Sequence, residues 1–567
     1  MTKNIQILRR NFEKYNIDGY IIPRNDDYFT EYCQKNRLKI ISNFTGSAGI
    51  AVILKKKNYL FTDGRYAIQS QIESGKSFKI INYEKIINCN LFKNLTLGID
   101  PKLFTYTQIK RFFLKYNKIK FVKKNLIDEI ENQNSSNDKK FFPLHKNVTG
   151  ESTDSKLTKI SSYLKKNKSD YIFITAPENV AWILNIRGFD VPNSPLPNCR
   201  LIISKTKKFF LISKIKKCKK LFNKKIINKK SFFDIDEFQK KIENLKGKNF
   251  IIDKKSCSIF FEEIIKSKFR IIKKNDPTYL LKSIKNQTEI NNMKKAHVFD
   301  GVALTKFIYW IKYLNKKKIN EVNAQDKLEK FRKLNKNFLY HSFDTIAGSG
   351  KNGAIIHYRA NKKNCKIIKK NDVFLCDSGG QYKYGTTDVT RTICFSKQNQ
   401  NIKNIFTKVL KGHIAVATTN LKKDNIGEKI DKRARKFLNQ SNLDYAHGTG
   451  HGVGYFLNVH EGPQSISKNN RIKIREGMIL SNEPGYYKKN KFGIRIENLI
   501  YVKKNGKKIE FENLTLAPIE KDLINPRLLT KREKDYLFLY HLNVYAKISK
   551  YLNLNEKKWL ISFVKHF

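Results

Sequence analysis

Four carboxylates and one imidazole in the second half of the chain are residue types that bind divalent metal ions. They are Asp377, Asp388, His451, Glu483 and Glu497. Four carboxylates brought together would repel one another and raise one another's pKa unless cations neutralised them, and two divalent ions would balance their charge. Oxygen-rich ligation with one imidazole and no thiolate suits Mn, Co or Zn, and the residues do not choose among these metals.

A pair of metal ions in such a site would do hydrolytic chemistry. The ions polarise a bridging water or hydroxide into a nucleophile and stabilise the negative charge that develops on an attacked carbonyl group. The five residues are spread over about 120 positions, so secondary structure must bring them together.

Strand-like patterns predict how the two aspartates are positioned. Asp377 follows the apolar run 373–376, so a buried strand would carry its carboxylate at one end. In the segment that starts at Asp388 the residues alternate, which places Thr390 and Thr392 on the same strand face as that aspartate. Both carboxylates are therefore expected to face one cleft.

The other ligands have similar settings. Alternation over 493–500 places Arg495 and Glu497 on one strand face, which makes the arginine a partner for a metal-bound carboxylate. His451 lies in the glycine-rich stretch 447–454, whose glycines allow the backbone to approach a ligand closely.

One further motif, GSGKNG at 348–353, matches the G-x-G-x-x-G pattern of dinucleotide-binding loops. It runs into a strand-like stretch at 354–358 and does not open a helix, as a phosphate-binding loop would. We therefore expect no nucleotide site in this segment.

The chain length predicts several domains, because a single hydrophobic core stops growing at about 250–300 residues and the chain has 567. Strand-like runs at 18–22 and 50–61 recur at 170–174 and 201–212, which predicts a duplicated α/β domain. The polar segment 132–140 predicts the first boundary. A capping box at Asn286 and Glu289 predicts the start of the unit that carries the ligands.

Four segments are predicted from these patterns. They are an N-terminal α/β domain (1–145), a related second α/β domain (146–283), a catalytic domain (284–510) and a C-terminal helical extension (511–567). The extension offers an apolar surface for which we hold two interpretations, packing against the catalytic domain or a dimer contact. Its apolar residues include Tyr536, Leu539, Leu542, Val544 and Trp559.

The net charge of +63, from 113 Lys+Arg against 50 Asp+Glu, would ordinarily indicate a nucleic-acid partner. The lysines are spread along the whole chain, and Lys, Asn, Ile, Phe and Tyr are abundant together. These residues have A/T-rich codons, so our hypothesis is that genome composition enriched them, and we expect no nucleic-acid partner. A coding sequence of ordinary GC content would remove this explanation, and salt-sensitive RNA binding would favour the alternative.

The sequence also predicts a cytoplasmic protein with no membrane partner. Charged residues occupy the first 16 positions, where a signal peptide needs an apolar run, and no stretch approaches the roughly 20 apolar residues of a membrane span. The eight cysteines form no Cys-x-x-Cys pair, which fits free thiols in a reducing compartment.

Several motifs together resemble aminopeptidase P, the Xaa-Pro aminopeptidase of the pita-bread metallopeptidases, in its long three-domain cytosolic form. The matching segments are DSGGQY at 377–382, GTTDVTR at 385–391, HGTGHGVG at 447–454, NVHEGP at 458–463, SNEPGYY at 481–487 and GIRIEN at 493–498. The resemblance implies an α/β (α+β) protein with two tandem related α/β N-terminal domains before a C-terminal pita-bread domain. It also implies hydrolysis of the N-terminal Xaa-Pro bond through a metal-bridging water, two metal ions, most often Mn, and a homodimer.

Roles for the ligands follow from the resemblance. It implies that Asp388 and Glu497 bridge the two ions, together with Asp377 in the shared ligand set. His451 and Glu483 complete the shell of one ion, and Glu483 also accepts a proton from the bridging water.

Roles for the residues around the ligands follow in the same way. His357, His447 and His460 match histidines that bind substrate and that stabilise the tetrahedral intermediate or pass a proton to the departing nitrogen. Tyr487 and Arg495 match positions near the substrate.

Two alternatives remain open. A prolidase shares the fold and the ligands but accepts only dipeptides, and the long N-terminal part of the chain favours aminopeptidase P. A catalytically silent pita-bread protein that binds nucleic acid would explain the charge, yet such relatives lose ligands and all five are present here. Members resembling creatinase are excluded on the same ground.

Overall fold

The computed structural model describes residues 2–33, 35–87, 89–131, 139–315 and 317–565. These divide into two compact units, Met1–Tyr279 and Leu280–Phe567. The predicted boundary segment 132–140 lies outside the described residues except for 139–140.

The first unit begins with a mixed sheet whose strand order is β4-β3-β2-β1-β5-β6. Strand β1 is antiparallel to β2 and parallel to β5, and it is buried along its whole length. The strands are β1 Gly19–Pro23, β2 Ile50–Leu54, β3 Asn58–Thr62, β4 Lys79–Asn82, β5 Thr96–Ile99 and β6 Lys118–Phe121. The helices are α1 Thr2–Lys14, α2 Arg37–Ser42, α3 Ala67–Ser74 and α4 Tyr106–Phe112.

A second sheet repeats this plan with the order β12-β11-β10-β8-β13-β14. Its central strand β8 is antiparallel to β10 and parallel to β13, as β1 is to β2 and β5. The strands of this sheet are β8 Tyr171–Ile174, β10 Arg200–Ser204, β11 Phe209–Ile212, β12 Phe232–Phe233, β13 Asn249–Asp253 and β14 Arg270–Lys274. Two further strands, β7 Phe142–Pro143 and β9 Ile186–Arg187, pair with each other. The helices are α5 Lys146–Thr149, α6 Thr153–Lys166, α7 Pro177–Ile183, α8 Ile215–Asn223, α9 Phe238–Asn244 and α10 Ile259–Lys266. The predicted duplication is confirmed.

The second unit carries the predicted ligands. After α11 Thr278–Ser283, helix α12 starts with the capping box predicted at Asn286 and Glu289. The helices are α12 Gln287–Tyr309, α13 Glu321–Lys333, α14 Gln400–Ala417, α15 Gly427–Asn439, α16 Lys531–Ile548 and α17 Leu554–Ile561. The strands are β15 Phe338–His341, β16 Ile346–Ser349, β17 Val373–Ser378, β18 Gly380–Tyr382, β19 Gly385–Thr386, β20 Val389–Cys394, β21 Gly450–Gly452, β22 Glu461–Ile466, β23 Ile479–Asn482, β24 Gly485–Lys488, β25 Phe492–Arg495, β26 Asn498–Asn505 and β27 Lys508–Asn513.

Two sheets of this unit hold the ligand-bearing strands. Strands β16-β17-β20 form one, and β22-β21-β23-β26-β27 form the other, while β24 and β25 make a separate hairpin. Helices α14 and α16 bury apolar residues in a cluster that also includes Ile494 of β25. The mixed α/β composition and the order of the domains confirm the predicted fold class.

Two local predictions are wrong. The stretch 493–500 is not one strand, because the backbone N–H of Glu497 turns away to the carbonyl of Thr390 and β26 starts only at Asn498. The stretch 354–358 is not a strand either. It follows a short 3-10 helix, Gly350–Ala354, and continues in turns, with Tyr358 N donating to the carbonyl of Ile355.

The C-terminal extension packs against the catalytic domain, and its role as a dimer contact stays a prediction. Leu537, Tyr540 and Val544 are buried in the apolar cluster with α14, which is core packing. Leu539 and Leu542 lie on the other side of α16 and are 60% and 42% exposed. No helix of the described residues combines the length and apolar character that crossing a bilayer requires.

Candidate metal centre

The two aspartates lie at the same end of two paired strands. Asp377 is in β17, and Asp388 directly precedes β20, its antiparallel neighbour. In this register Asp377 stands opposite Thr390 and Ser378 opposite Val389, so the strand ends that carry both carboxylates are adjacent.

The remaining ligands come from the second sheet. His451 lies in β21, Glu483 follows β23 and Glu497 precedes β26. Asn482 of β23 pairs with Asn498 of β26. Glu483 and Glu497 are the next residues beyond this pair, so both lie at the same end of the two strands.

The distances match a metal site. Asp388, His451 and Glu497 each offer one ligand atom, and these atoms lie within 4.8 Å of one another. Nε2 of His451 is 3.5 Å from Oδ2 of Asp388 and 3.5 Å from Oε1 of Glu483. Since carboxylate and imidazole ligands bind such ions at about 2.0–2.2 Å, atoms at these separations can share an ion after small adjustments.

The carboxylates of the site are only partly neutralised by the described side chains, among them Arg495 and His451. Burial, together with the charges of Asp388 and Glu483, raises the pKa of Asp377 to about 6 even though Arg495 opposes the shift. Burial also raises the pKa of Glu497, and the neighbouring carboxylates add to the effect. Oδ1 of Asp377 is buried and has no hydrogen-bond partner within the described part of the chain. These residues therefore fit divalent cations, which would supply the missing positive charge and a partner for that oxygen.

His451 and Glu483 compensate each other in part. Burial lowers the pKa of His451, but Asp388 and Glu483 outweigh it and raise the value to about 9. Burial raises the pKa of Glu483, but His451 and His447 outweigh it and lower the value. Nδ1 of His451 lies 2.9 Å from the carbonyl of Gly452, which leaves Nε2 for a ligand role.

A hydrogen-bonded chain links the ligands to the predicted substrate residues. Arg495 donates from Nη2 to Oδ2 of Asp377 at 2.6 Å and from Nη1 to the hydroxyl of Tyr487 at 2.5 Å. The same hydroxyl lies 2.8 Å from Nε2 of His447. Arg495 is 2% exposed, so this chain is shielded from water. Sequence alternation predicted that Arg495 is near a ligand, but the contact with Tyr487 depends on the β24–β25 hairpin.

The other predicted histidines differ in how closely they approach the ligands. The ring centroid of His460 is 4.4 Å from that of His451, with the planes at 75°. His357 is half-buried in the turns that follow the 3-10 helix Gly350–Ala354.

Two contacts were not predicted as functional. The hydroxyl of Thr390 donates to Oε2 of Glu497 at 2.8 Å and accepts from Nε of Arg495 at 3.1 Å. The sequence signal for Thr390 was the side-chain alternation, which placed it on the same strand face as Asp388. Arg435 donates from Nη2 to the carbonyl of His447 at 2.6 Å, and no motif marks that residue.

A second group of possible ligands lies elsewhere, formed by Cys394, Glu520 and Asp522. Nζ of Lys312 is 2.6 Å from Glu520 and 3.0 Å from Asp522. A lysine already neutralises these carboxylates, so this group fits a metal ion less well than the first.

Comparison with known families covers nearly the whole chain. Residues 291–504 match metallopeptidase family M24, and residues 507–567 match the C-terminal region of peptidase M24. Residues 4–130 and 132–289 each match a creatinase/prolidase N-terminal domain.

Individual relatives extend over the full length. A probable Xaa-Pro aminopeptidase P from Laccaria bicolor is 36% identical, with 99% of this chain and 92% of that protein covered. The crystal structure of an X-prolyl aminopeptidase from Caenorhabditis elegans, described as a cytosolic enzyme with a di-nuclear active site, aligns over 100% of both chains with a TM-score of 0.92 and 27% identity. A prolidase from Pyrococcus horikoshii aligns over 65% of this chain and 99% of its own, with a TM-score of 0.53 and 27% identity. The chain therefore belongs to metallopeptidase family M24, and within it to the Xaa-Pro aminopeptidases that it matches from end to end.

Proposed function

We propose that this protein is a metal-dependent aminopeptidase that removes an N-terminal residue preceding proline. The observation that carries the proposal is the buried group of Asp388, His451 and Glu497, whose ligand atoms lie within 4.8 Å of one another. The full-length similarity to Xaa-Pro aminopeptidases supports the substrate class.

Two divalent ions would be held by the five predicted ligands, Asp377, Asp388, His451, Glu483 and Glu497. When bound, they supply Lewis-acid polarisation of the scissile carbonyl and a lowered pKa for water. In the proposal Asp388 and Glu497 would hold both ions, as the resemblance implies, and the hydroxyl of Thr390 would keep Glu497 oriented for that role. Among the candidate metals we propose Mn.

The side chains around the ligands position the peptide and move its protons. Burial lowers the pKa of His447 to about 4, although Glu483 opposes the shift, so its imidazole is neutral near pH 7. Nε2 of this ring lies 2.8 Å from the hydroxyl of Tyr487 and Nδ1 lies 2.8 Å from the carbonyl oxygen of Gly448, so the neutral ring is held in place beside the substrate without adding a cation. Glu483 would accept the proton of the attacking water, and one of the three histidines would pass a proton to the departing prolyl nitrogen, as the resemblance implies. His460, stacked edge-on to His451, and His357 bind the substrate beside the scissile bond.

Proline at the second position explains why a dedicated enzyme is needed. An Xaa-Pro bond is a tertiary amide without an N–H group, and the ring blocks pockets shaped for other residues. In the proposal the free amine of the peptide pairs with a metal ion or a site carboxylate, which restricts cleavage to the first bond. Equal turnover of an N-acetylated Xaa-Pro peptide would count against this restriction.

The central experiment combines metal analysis with peptide hydrolysis. Purified protein is stripped with a chelator, reloaded with Mn, Co or Zn, and assayed with Arg-Pro-Pro and with the dipeptide Arg-Pro. We expect two ions per chain and release of arginine from the tripeptide, fastest with Mn. Cleavage of the dipeptide alone would identify a prolidase, and no metal-stimulated release from either peptide would refute the proposal.

Location and assembly complete the proposal. We place the enzyme in the cytoplasm, as its structural relative is described, and we propose a homodimer. The exposed leucines Leu539 and Leu542 of α16 are an apolar surface suited to a second copy. Light scattering should give twice the chain mass for the native protein and the monomer mass for the Leu539→Glu variant. A native monomer at micromolar concentration would exclude this contact.

A further inference from the structure

The segment around the GSGKNG motif is organised by one buried carboxylate. Glu321, at the first position of α13, is fully buried at 0% exposure. An unpaired carboxylate in a protein interior costs several kcal/mol, so such a group persists only when hydrogen-bond donors surround it. The donors around Glu321 therefore identify the structure that it holds in place.

These donors come from both ends of the segment. Oε1 of Glu321 accepts from the backbone N–H of Ser349 at 2.7 Å and from Nδ2 of Asn352 at 3.0 Å. Oε2 accepts from the hydroxyl of Tyr358 at 2.7 Å and from the backbone N–H of Lys366 at 2.8 Å. Burial, together with the hydrogen bond and charge of Glu321, raises the pKa of the Tyr358 phenol, so that hydroxyl stays protonated and donates. One side chain thus fixes the turn, the tyrosine and the returning backbone.

Segment 349–358, which Glu321 holds in place, is in contact with the candidate site. The ring of Tyr358 packs in an apolar cluster with Leu375 of β17, and Tyr487 packs against this cluster. Tyr487 is the residue whose hydroxyl contacts both His447 and Arg495. A displacement of Tyr358 would therefore disturb the hydrogen bonds that connect Tyr487 through Arg495 to Asp377.

The backbone makes a second contact with the site. A Cβ atom on Gly493 would lie 1.8 Å from the carbonyl oxygen of Gly353, so the 3-10 turn lies directly against β25. Strand β25 ends at Arg495, which binds Asp377. The lack of a side chain at Gly493 thus allows the close packing of these two backbones, and this contact is unrelated to phosphate binding.

We propose that Glu321 is a positioning residue for the peptidase reaction. It holds the segment 349–358 so that His357 and Tyr358 stand at fixed positions beside Tyr487. The inference rests on the proposed function, because the substrate-binding role of His357 is part of that function. Glu321 acts through these residues and takes no part in the chemical step.

A double-mutant cycle tests this inference in the Mn-loaded, full-length protein. The variants are Glu321→Gln, His357→Ala and the combination, assayed with Arg-Pro-Pro. Glutamine replaces one of the two accepting oxygens with an NH2 donor, which then faces either the donors of Ser349 and Asn352 or those of Tyr358 and Lys366. Since small displacements of substrate-positioning groups cost up to about 100-fold, we expect E321Q to lower kcat/KM by about 10- to 100-fold. We expect little further loss when His357 is already absent, because residues that act as a unit are not additive.

Matched measurements separate positioning from general stability. Glu329→Gln is the control, since Glu329 lies on the same helix and pairs with Lys333 near the surface; it should keep wild-type kcat/KM. Metal content and the affinity of the metal-free protein for Mn should be unchanged in E321Q. A smaller perturbation, Tyr358→Phe, removes one donor and keeps the carboxylate. It should show a smaller loss with the same dependence on His357.

The outcomes distinguish the inference from the function on which it rests. Wild-type protein that fails to cleave Arg-Pro-Pro would refute the proposed function. Active wild type combined with fully additive losses for E321Q and H357A would overturn the inference alone, as would an E321Q variant that is folded and fully active. If E321Q does not fold, Y358F decides by the same criterion: additive loss with H357A, or no loss, overturns the inference.

Discussion

Both units bury carboxylates, but they bury them beside different neighbours. In the first unit Asp276 accepts hydrogen bonds from the backbone of Thr278 at 2.8 Å and from Nδ2 of Asn179 at 2.6 Å. In the second unit Asp377 and Glu497 are surrounded by other carboxylates, which raise their pKa in addition to burial. Asp276 carries mainly the cost of burial, whereas the carboxylates of the second unit also repel one another, a cost that bound cations would remove. The difference indicates that the second unit gives up stability at the place where it does chemistry.

The largest effect on this comparison is expected from Glu497→Gln. Glu497 is proposed to hold both ions, and removing such a carboxylate forfeits several kcal/mol of transition-state stabilisation, so kcat/KM should fall about 1000-fold or more. The metal-free variant should unfold at a higher temperature than the metal-free wild type, because one repelling charge is gone. Calorimetry with and without metal checks both. The control is Glu510→Gln in β27, and a metal-free variant less stable than wild type would contradict the repulsion argument.

A smaller effect is expected from Thr390→Val, which keeps the shape of the side chain and removes its hydroxyl. That hydroxyl orients Glu497 and Arg495, and loss of a group that orients a ligand costs about 10- to 100-fold in metal affinity or activity. Metal titration of the stripped protein measures the affinity. Thr392→Val is the matched control, because its hydroxyl bonds the backbone of Arg495 and no side chain of the site. Equal losses of metal affinity in T390V and T392V would show that the effect comes from strand pairing and not from the orientation of Glu497.

Tyr487→Phe should have a modest effect on catalysis. It removes the hydroxyl between Arg495 and His447, and the loss of hydrogen bonds worth about 0.5–1.5 kcal/mol each corresponds to about a tenfold change. We expect a lower kcat/KM with unchanged metal content, since Arg495 keeps its contact with Asp377. Tyr486→Phe is the control, because Tyr486 packs in the apolar cluster with α14. Loss of metal from Y487F would show that the hydrogen bonds of the Tyr487 hydroxyl also hold the metal ligands in place.

Asp276→Asn should leave catalysis unchanged and raise stability. Burial raises the pKa of Asp276 to about 6 from 3.8, despite the hydrogen bonds of Thr278 and Asn179. The folded state therefore binds more protons between these values, and the stability of the wild type falls as pH rises from 4 to 6. An amide avoids this loss, and Oδ1 of Asn179, which has no partner in the described structure, can accept its N–H after a flip.

Unfolding at several pH values measures this effect. The variant should be more stable at pH 7 by about 1–3 kcal/mol, which follows from a pKa shift of roughly two units, and its stability should change less between pH 4 and 6. Asp154→Asn removes an exposed carboxylate and should change stability by less than about 0.5 kcal/mol. A variant less stable than wild type at pH 7 would show that the hydrogen bonds outweigh burial.

Prediction from sequence succeeded where local pattern and function coincide. The alternation of side chains placed Asp388 and Thr390 on one strand face, and the recurrence of the 18–22 pattern at 170–174 predicted the second sheet. It failed for 354–358, where apolar residues resemble a strand. There the buried carboxylate of Glu321, distant in sequence, draws Asn352 and Tyr358 into turns instead.

The sequence by itself determined which residues are chemically equipped for a metal centre and where many of the strands lie, because side-chain type and periodicity are local properties. Only the tertiary structure decided how the groups act on one another. The strand is interrupted between Arg495 and Glu497, the hydroxyl of Thr390 bonds to both of these residues, and Glu321 is buried. All three features depend on contacts between residues that are far apart in the chain. Burial and the distance between charges set the pKa values at the site, and neither quantity exists before the chain folds.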